Sequence, residues 1–142
     1  MYATSTKNDA PTTTPAPFDK ERDGLVVGEG AATLILESLE HAKARDANIL
    51  GEVVGFATGC DGAHIVNPSP VAMENVMNAA IKDACISADT IGYVNAHGTA
   101  TDVGDVAESN ATATCFKRPI PISSLKSYMG HTLGASGAIE AW

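Results

Sequence analysis

The fold prediction begins from one stretch of the chain, Ile91-Gly92-Tyr93-Val94-Asn95-Ala96-His97-Gly98-Thr99-Ala100-Thr101. Its first four residues form a short apolar run that is typical of a buried strand, and polar residues follow directly. Open α/β sheets place their ligand-binding groups at the C-terminal ends of strands. We therefore expect residues 95–101 to belong to a functional site.

Helical and extended patterns alternate on both sides of this stretch. Ser69 suits a helix N-cap and Pro70 the first helical position, and a stripe of apolar residues follows at helical spacing: Met73, Val76, Met77, Ala80, Ile81 and Ala84. Residues 105–116 predict a second helix, and residues 120–124 a further strand. This repeat predicts an α/β fold with a mostly parallel sheet that helices cover on both faces.

The N-terminal half has less regular patterns. Residues 1–16 are rich in threonine and proline and predict an extended loop. Residues 31–36 are apolar at odd and even positions, which is typical of an interior strand, and residues 52–57 predict another extended segment. Between them, Ser38 can cap a short helix that ends near Asp46. The glycines at positions 24, 28 and 30 predict a turn or bulge, and residues 61–70 a polar break.

Composition limits the classes of function. The 142 residues are 44% hydrophobic and include 17 acidic and 9 basic side chains, for a formal net charge of −8. This charge argues against a nucleic-acid partner. No apolar run reaches the roughly 18 residues that span a bilayer, and the N-terminus lacks the pattern of a secretory signal. We expect a globular, cytoplasmic protein without a membrane span.

The cysteines and histidines form no familiar metal-binding pattern. Cys60, Cys85 and Cys115 are odd in number and widely spaced, so we expect buried free thiols and neither disulfides nor a zinc site. None of the four histidines stands in an H-E-x-x-H pattern. The sequence therefore predicts no metal ion.

Two histidines stand among small residues at the predicted site. His97 follows the apolar run, and His131 lies in a glycine-rich turn, residues 130–137, that leads into a predicted helix. A lone histidine is more often a core or cap residue than a catalyst. Two neutral imidazoles, however, could together donate to a carbonyl oxygen and stabilise an enolate as it forms.

Lys126 stands just upstream of His131 at the end of the predicted strand. The sequence slightly favours an exposed, solvated lysine over a buried and paired one. Asp105 and Glu108 offer carboxylates as partners, although D-x-x-E at a helix start is also the pattern of a capping box. Both interpretations of this pair remain open at the level of sequence.

Several motifs together resemble the β-ketoacyl-acyl-carrier-protein synthases, the condensing enzymes of fatty-acid and polyketide assembly. They are residues 17–24, 28–30, 40–42, 95–101, 104–105, 124–127 and 130–135, so the resemblance extends over nearly the whole chain. The resemblance implies a thiolase-like fold, in which two similar halves stack as αβαβα layers. In that plan residues 17–67 would end the first half and residues 68–142 would begin the second, so that the chain would be the middle of a longer protein.

The resemblance also implies a reaction, the decarboxylating Claisen condensation of an acyl thioester with malonyl-acyl-carrier protein. His97 and His131 would bind the malonyl thioester carbonyl and favour decarboxylation. Lys126 would orient the site through Asp105 and Glu108.

Substrates in this family are carried on the phosphopantetheine arm of acyl-carrier protein, so no other cofactor is implied. Thr99 and Thr101 would hydrogen-bond that arm. Family members usually form homodimers, and acyl-carrier protein is the expected partner.

The acyl chain in this family is held by a cysteine of the first half, and none of the three cysteines here replaces it. We therefore expect residues 1–142 alone to be inactive. Two alternatives remain open. A thiolase would share the glycine-rich stretch at 130–137, and a non-catalytic partner subunit similar to chain-length factors would form a heterodimer.

Overall fold

A computed structural model describes residues 3–64 and 66–142. In this part of the chain the elements are α1 (Leu39–Ala44), α2 (Pro70–Asp83), β1 (Val94–Asn95), α3 (Asp102–Phe116), β2 (Ile122–Ser123), α4 (Lys126–Met129) and α5 (Ser136–Ala141). Short 3-10 helices occupy Pro11–Thr13, Ala88–Thr90 and Leu133–Ala135.

The two strands form a parallel pair, with Val94 opposite Ile122 and Asn95 opposite Ser123. Helix α3 connects them, and the Ala96 N–H extends the pairing by donating to the Ser123 carbonyl at 2.8 Å. The parallel arrangement predicted from the alternation of patterns is thus confirmed. Because parallel strands end at the same edge, the segments that follow β1 and β2 lie side by side.

Helix α2 begins as predicted. The Ser69 hydroxyl accepts a hydrogen bond from the Ala72 N–H at 3.3 Å, and Pro70 occupies the first turn. The apolar stripe is half-buried and none of its residues is fully enclosed, whereas Val71 on another face is 63% exposed. The stripe packs against α3, and part of it forms one wall of a cleft beside His97.

Helix α3 begins at Asp102, almost one turn earlier than the sequence predicts. Asp105 and Glu108 therefore lie inside the helix, and the interpretation of this pair as a capping box is wrong. Their carboxylates instead accept hydrogen bonds from the loop at residues 97–100. The buried face of α3 consists of Asp105, Ala107, Glu108, Ala111, Thr112, Cys115 and Phe116.

The interior strand expected at residues 31–36 does not form, and the segment at 52–57, which was expected to be extended, joins no strand either in the part that the structure describes. Residues 31–36 and 52–57 take part in no strand of the described chain, and their apolar side chains are exposed, with Ile35 at 84% and Phe56 at 72%. A strand needs a neighbour for its backbone groups, and within the described residues these segments have none. Helix α1 between them forms as predicted, because the Ser38 hydroxyl accepts the His41 N–H at 3.3 Å.

The glycine-rich segment near residue 24 combines a turn with two short bridges. Gly24 has a φ of 135°, and a Cβ there would lie 2.6 Å from the Thr4 backbone, so this position requires glycine. Leu25 bridges to Thr4, while Val27 bridges to His131. The predicted N-terminal loop also contains a 3-10 turn at Pro11–Thr13, and its first two residues lie outside the described part.

Two of the three expected buried thiols are exposed. Cys85 ends the turn after α2 with a φ of 55°, and Cys60 lies on an extended segment without a strand neighbour, so both reach solvent. Only Cys115, on the inner face of α3, is buried, and burial raises the pKa of its thiol. All three are free.

No helix within residues 3–64 and 66–142 is long and apolar enough to cross a bilayer. In the same residues, no group of three or more histidine, cysteine, aspartate or glutamate side chains is placed to hold a metal ion.

Candidate active site

The three residues proposed as catalytic converge at the shared end of β1 and β2. The imidazole rings of His97 and His131 meet edge to face, with centroids 5.1 Å apart and an interplanar angle of 84°. The Lys126 Nζ lies 3.4 Å from the His97 Nδ1. Residues from the loop after β1, the start of α4 and the turn after α4 thus share one small volume.

Lys126 is 1% exposed, so the expectation of a solvated lysine is wrong. Its ammonium forms a hydrogen-bonded ion pair with the carboxylate of Glu140, whose side chain is 15% exposed. Neither Asp105 nor Glu108 pairs directly with Lys126, contrary to the expected arrangement. A buried ammonium requires a paired carboxylate, and α5 brings Glu140 to that position.

Helix α5 is fastened to the first strand by one side chain. The Asn95 amide donates to the Glu140 main-chain carbonyl at 2.6 Å. Since Asn95 is the last residue of β1, this contact fixes the partner of Lys126 relative to His97, two residues further along.

Glu108 holds the loop that carries His97. Its two carboxylate oxygens accept the N–H groups of His97 and Gly98, each at 2.8 Å. Burial raises the pKa of Glu108, and the two backbone hydrogen bonds oppose that shift because they favour the ionised form. The residue thus fixes the backbone on which the imidazole is mounted.

Asp105 ties the same loop to the N-terminal segment. It is 2% exposed, and its carboxylate accepts the N–H of Phe18 at 2.7 Å and that of Ala100 at 3.1 Å. The Arg22 Nε lies 3.6 Å from this carboxylate, and the same guanidinium donates to the Asp102 carbonyl at 3.0 Å. Residues 18–22 are therefore part of the support of the site.

Ser124 joins the two strand ends. Its hydroxyl donates to the Gly98 carbonyl at 2.8 Å and lies 3.3 Å from the Lys126 N–H, which donates to it. Gly98 has a φ of 36°, and a Cβ there would meet the Ser124 Cβ at 2.6 Å. The close approach of the two loops depends on this glycine.

The surroundings lower the pKa of both imidazoles, which favours their neutral forms. Burial lowers the pKa of His97, and the charge of Lys126 lowers it further. Burial also lowers the pKa of His131, with added contributions from His97 and Lys126. The Leu133 N–H donates to the His131 Nδ1 at 3.1 Å, so this nitrogen carries a lone pair and the ring proton sits on Nε2.

The two threonines expected to bind the phosphopantetheine arm lie next to each other at the entrance to α3. The hydroxyls of Thr99 and Thr101 are 3.0 Å apart and partly buried. Thr101 precedes α3 without capping it through its side chain.

An apolar cleft of about 450 Å³ opens beside His97. Its walls come from the segment before residue 61, the inner face of α2 and the start of the site, and they include Cys60, Met73, Val76, Met77, His97 and Glu108. The cleft gives one side of His97 a mostly apolar surrounding.

Glu140 and Ser124 are the supporting residues that sequence reasoning missed, together with Arg22. Arg22 and Ser124 lie within the motifs at 17–24 and 124–127, but no local pattern gives any of the three a role, because each acts on a residue that is distant in the chain or in another element. The one available signal was the lysine itself, since a buried ammonium would demand an acid somewhere in the fold.

Comparison with known proteins gives the family. Residues 50–142 match the family described as Beta-ketoacyl synthase, C-terminal domain. The chain belongs to this family of condensing enzymes, as the motifs at residues 95–101 and 130–135 predict.

Named relatives extend the match over nearly the whole chain. The 3-oxoacyl-[acyl-carrier-protein] synthase 2 of Vibrio cholerae is 47% identical over 98% of this chain and 35% of the relative. The chloroplastic 3-oxoacyl-[acyl-carrier-protein] synthase I of Hordeum vulgare is 46% identical over 98% of this chain and 31% of the relative. The chain spans about a third of the length of the curated relatives it matches.

Solved structures support the fold. A β-ketoacyl synthase from Burkholderia phymatum superimposes with a TM-score of 0.97 and 64% identity, over 99% of this chain and 35% of that one. The ketosynthase in the complex AntDE:AntF gives a TM-score of 0.87 at 43% identity, over 96% of this chain and 34% of that one. The expected thiolase-like α/β fold is confirmed, while the boundary between residues 67 and 68 stays a prediction.

Proposed function

We propose that this chain supplies the carbanion-forming part of the active site of a 3-oxoacyl-[acyl-carrier-protein] synthase. The observation that carries the proposal is the pair of imidazoles, with ring centroids 5.1 Å apart, next to a buried ion pair. Two neighbouring imidazoles whose neutral forms each carry an N–H donor suit an oxygen that gains negative charge during a reaction.

The site supports a decarboxylating Claisen condensation. The thioester carbonyl of a malonyl group accepts hydrogen bonds from His97 and His131. Loss of carbon dioxide then leaves the electron pair of the broken C–C bond on the α-carbon, delocalised onto the hydrogen-bonded oxygen. The resulting enolate attacks the carbonyl of an acyl thioester, a new C–C bond forms, and the thiolate leaves. Neutral imidazoles favour the enolate without donating a full proton to it.

Lys126 acts on this chemistry through its charge and its position. Paired with Glu140 and 3.4 Å from the His97 Nδ1, its ammonium holds that nitrogen as a hydrogen-bond acceptor, which leaves the proton on Nε2. Asp105 and Glu108 support the loop instead of contacting Lys126.

The substrate is carried on acyl-carrier protein, with the hydroxyls of Thr99 and Thr101 as hydrogen-bond partners of the phosphopantetheine arm. One similar structure, AntDE:AntF, is that of a type II PKS acyl-carrier protein in complex with its ketosynthase bound to the hexaketide. We infer the same class of partner for this chain, and no metal or other cofactor enters the scheme.

The acyl group is held by a cysteine outside these 142 residues in our proposal, so residues 1–142 alone are expected to release no condensation product. We expect the active protein to be a dimer. The cytoplasm remains our prediction for its compartment, although some relatives carry chloroplastic or mitochondrial names.

The second candidate is a non-catalytic partner subunit similar to chain-length factors. The structure of the ishigamide ketosynthase/chain length factor superimposes with a TM-score of 0.84 at 40% identity, and because it contains both kinds of subunit, this likeness is compatible with either candidate. A natural full-length protein without an acyl-carrying cysteine would favour the partner subunit. The family match gives no support to the thiolase alternative.

The test is decarboxylation by the natural full-length protein that contains this chain. We expect His97→Ala and His131→Ala each to abolish carbon dioxide release from malonyl-acyl-carrier protein while acyl transfer to cysteine continues. His41→Ala, on exposed α1, is the matched control and should behave as the wild type. Normal carbon dioxide release by either site variant would remove the proposed roles.

A further inference from the structure

A buried hydroxyl in the turn of His131 has no part in the chemistry described above. Ser136, the first residue of α5, is 4% exposed. Its Oγ lies 3.0 Å from the His131 Nδ1 and 3.1 Å from the Oγ1 of Thr132, which is itself 8% exposed. Three polar atoms thus form a short chain that ends on the imidazole.

The direction of this chain follows from one backbone group. The Leu133 N–H can only donate, and it does so to the His131 Nδ1 at 3.1 Å. Because Nδ1 therefore carries a lone pair, the Ser136 hydroxyl can only donate to it as well. The hydrogen of Ser136 is then used, so the Thr132 hydroxyl must donate to the Ser136 oxygen.

We propose that Ser136 is a positioning residue for His131, whose hydroxyl, oriented by Thr132, holds the imidazole in the tautomer that carries its proton on Nε2. The two donors at Nδ1 fix one side of the ring to the turn, which leaves the Nε2–H directed away from it. The tautomer does not depend on the proposed function. Its use, donation to a thioester oxygen, rests on that function.

Other charged and titratable groups also act on this imidazole. They are His97 after β1, Lys126 at the start of α4 and Glu140 on α5. All three can change the affinity of His131 for a second proton. Among the described residues, the hydrogen bonds to Nδ1 come from the Ser136 hydroxyl and the Leu133 amide, so these two groups select between the two neutral tautomers.

The experiment is nitrogen NMR on the natural full-length protein that contains this chain, with ¹⁵N-labelled histidine rings. In the wild type at neutral pH, we expect His131 to show a protonated Nε2 and an unprotonated Nδ1. In Ser136→Ala, the Nδ1-protonated form should gain population and the pKa of His131 should rise, because the neutral form loses one of its two donors. Carbon dioxide release should fall about fivefold at unchanged KM.

Controls separate a positioning role from a structural one. Ser109→Ala removes an exposed hydroxyl of α3 and should leave the ring shifts and the rate unchanged. Ser136→Ala could unfold because the Thr132 hydroxyl would lose its buried hydrogen-bond partner. In that case the double variant Thr132→Val/Ser136→Ala, which leaves no buried hydroxyl unpaired at this place, allows the same measurement.

Two results would overturn the proposal: a wild-type His131 that is protonated on Nδ1, or ring shifts and a pKa that do not change when the Ser136 hydroxyl is removed. A wild-type protein with the expected ring shifts but no carbon dioxide release would instead contradict the proposed function and leave the role of Ser136 intact.

Discussion

The described chain contains two regions that reverse the usual relation between polarity and burial. Around β1, β2 and α3, charged side chains are enclosed, with Lys126 at 1% and Asp105 at 2% exposure. In the extended segments at 31–36 and 49–57, large apolar side chains face solvent, with Ile35 at 84% and Leu50 at 76%. The difference shows that whether a side chain is buried here depends more on the partners available to it than on whether it is polar or apolar.

The buried charges keep their places because each has specific partners. Asp105 accepts two backbone N–H groups, Glu108 accepts two more, and Lys126 pairs with Glu140. The apolar residues of the extended segments have no strand partner among the described residues and so bury little of their surface. A polar network that satisfies itself can thus organise a site more firmly than a run of apolar residues without a neighbour.

The largest effect is expected at the ion pair. Lys126→Ala leaves the Glu140 carboxylate largely enclosed without its partner, and we expect the free energy of unfolding to fall by about 3–5 kcal/mol. Urea denaturation of the chain measures this change. Lys82→Ala, at the exposed end of α2, is the matched control and should cost less than about 0.5 kcal/mol. A similar cost for the two lysines would contradict the picture of a stabilising network.

Two phenylalanines, one in each region, test directly how burial differs between the two regions. Phe116, on the inner face of α3, is 8% exposed, whereas Phe56 is 72% exposed. Phe116→Ala in the 142-residue chain should lower the free energy of unfolding by about 3 kcal/mol, and Phe56→Ala by less than about 0.5 kcal/mol. Equal losses in urea denaturation would mean that the segment at 49–57 is buried in solution.

Gly98→Ala should produce the next effect. The new Cβ would meet Ser124 at 2.6 Å in a backbone conformation that favours glycine, so we expect a loss of about 2 kcal/mol in thermal or urea unfolding. Gly92→Ala is the control, since the Cβ that it adds would meet no atom of the described chain within 4 Å outside its own residue and its two chain neighbours. If both alanines were tolerated equally, the close approach of the two strand ends would not limit stability.

The smallest effect concerns pH. Burial lowers the pKa of both site histidines below the ordinary value of 6.5, so the folded state binds fewer protons than the unfolded one just below that value. Their contribution to stability is complete above pH 6.5 and is lost as the pH falls. In the natural full-length protein, carbon dioxide release should decline on the same acid side.

A variant tests the origin of that shift. Lys126→Met removes the charge that helps to lower the pKa of His97, so the acid limb of the rate profile should move to higher pH. An unmoved limb in a folded variant would show that burial alone sets the titration of His97.

The parts of the fold that could be predicted from sequence are those with local causes. Ser69 and Pro70 start α2 through adjacent contacts, and the apolar run before Asn95 correctly placed His97 at a strand end. The rule that parallel strands end at one edge accounts for the proximity of His97 and Lys126, whereas His131, in the turn at 130–137, was grouped with them through the family resemblance. The sequence did not identify Thr101 as the residue before α3, because Gly104 weakens the helical pattern in the first turn of α3.

The remaining features depend on contacts between distant residues. Residues 31–36, which are apolar at odd and even positions, predicted an interior strand. Strand formation, however, requires a neighbouring strand that local sequence does not specify. The burial of Lys126 depends on α5, which is fastened through Asn95. No sequence pattern within a few residues of Lys126 indicates that α5 will bury it.

The bridge between Val27 and His131 has a consequence for the order of folding. The His131 N–H donates to the Val26 carbonyl at 2.7 Å, and the Gly28 N–H donates to the His131 carbonyl at 3.0 Å. These contacts close a loop of about one hundred residues, which is entropically costly and slow compared with forming α2 or α3. The second imidazole is therefore set in place late, after the helices exist, and slow hydrogen exchange at the His131 amide would mark the completion of the site.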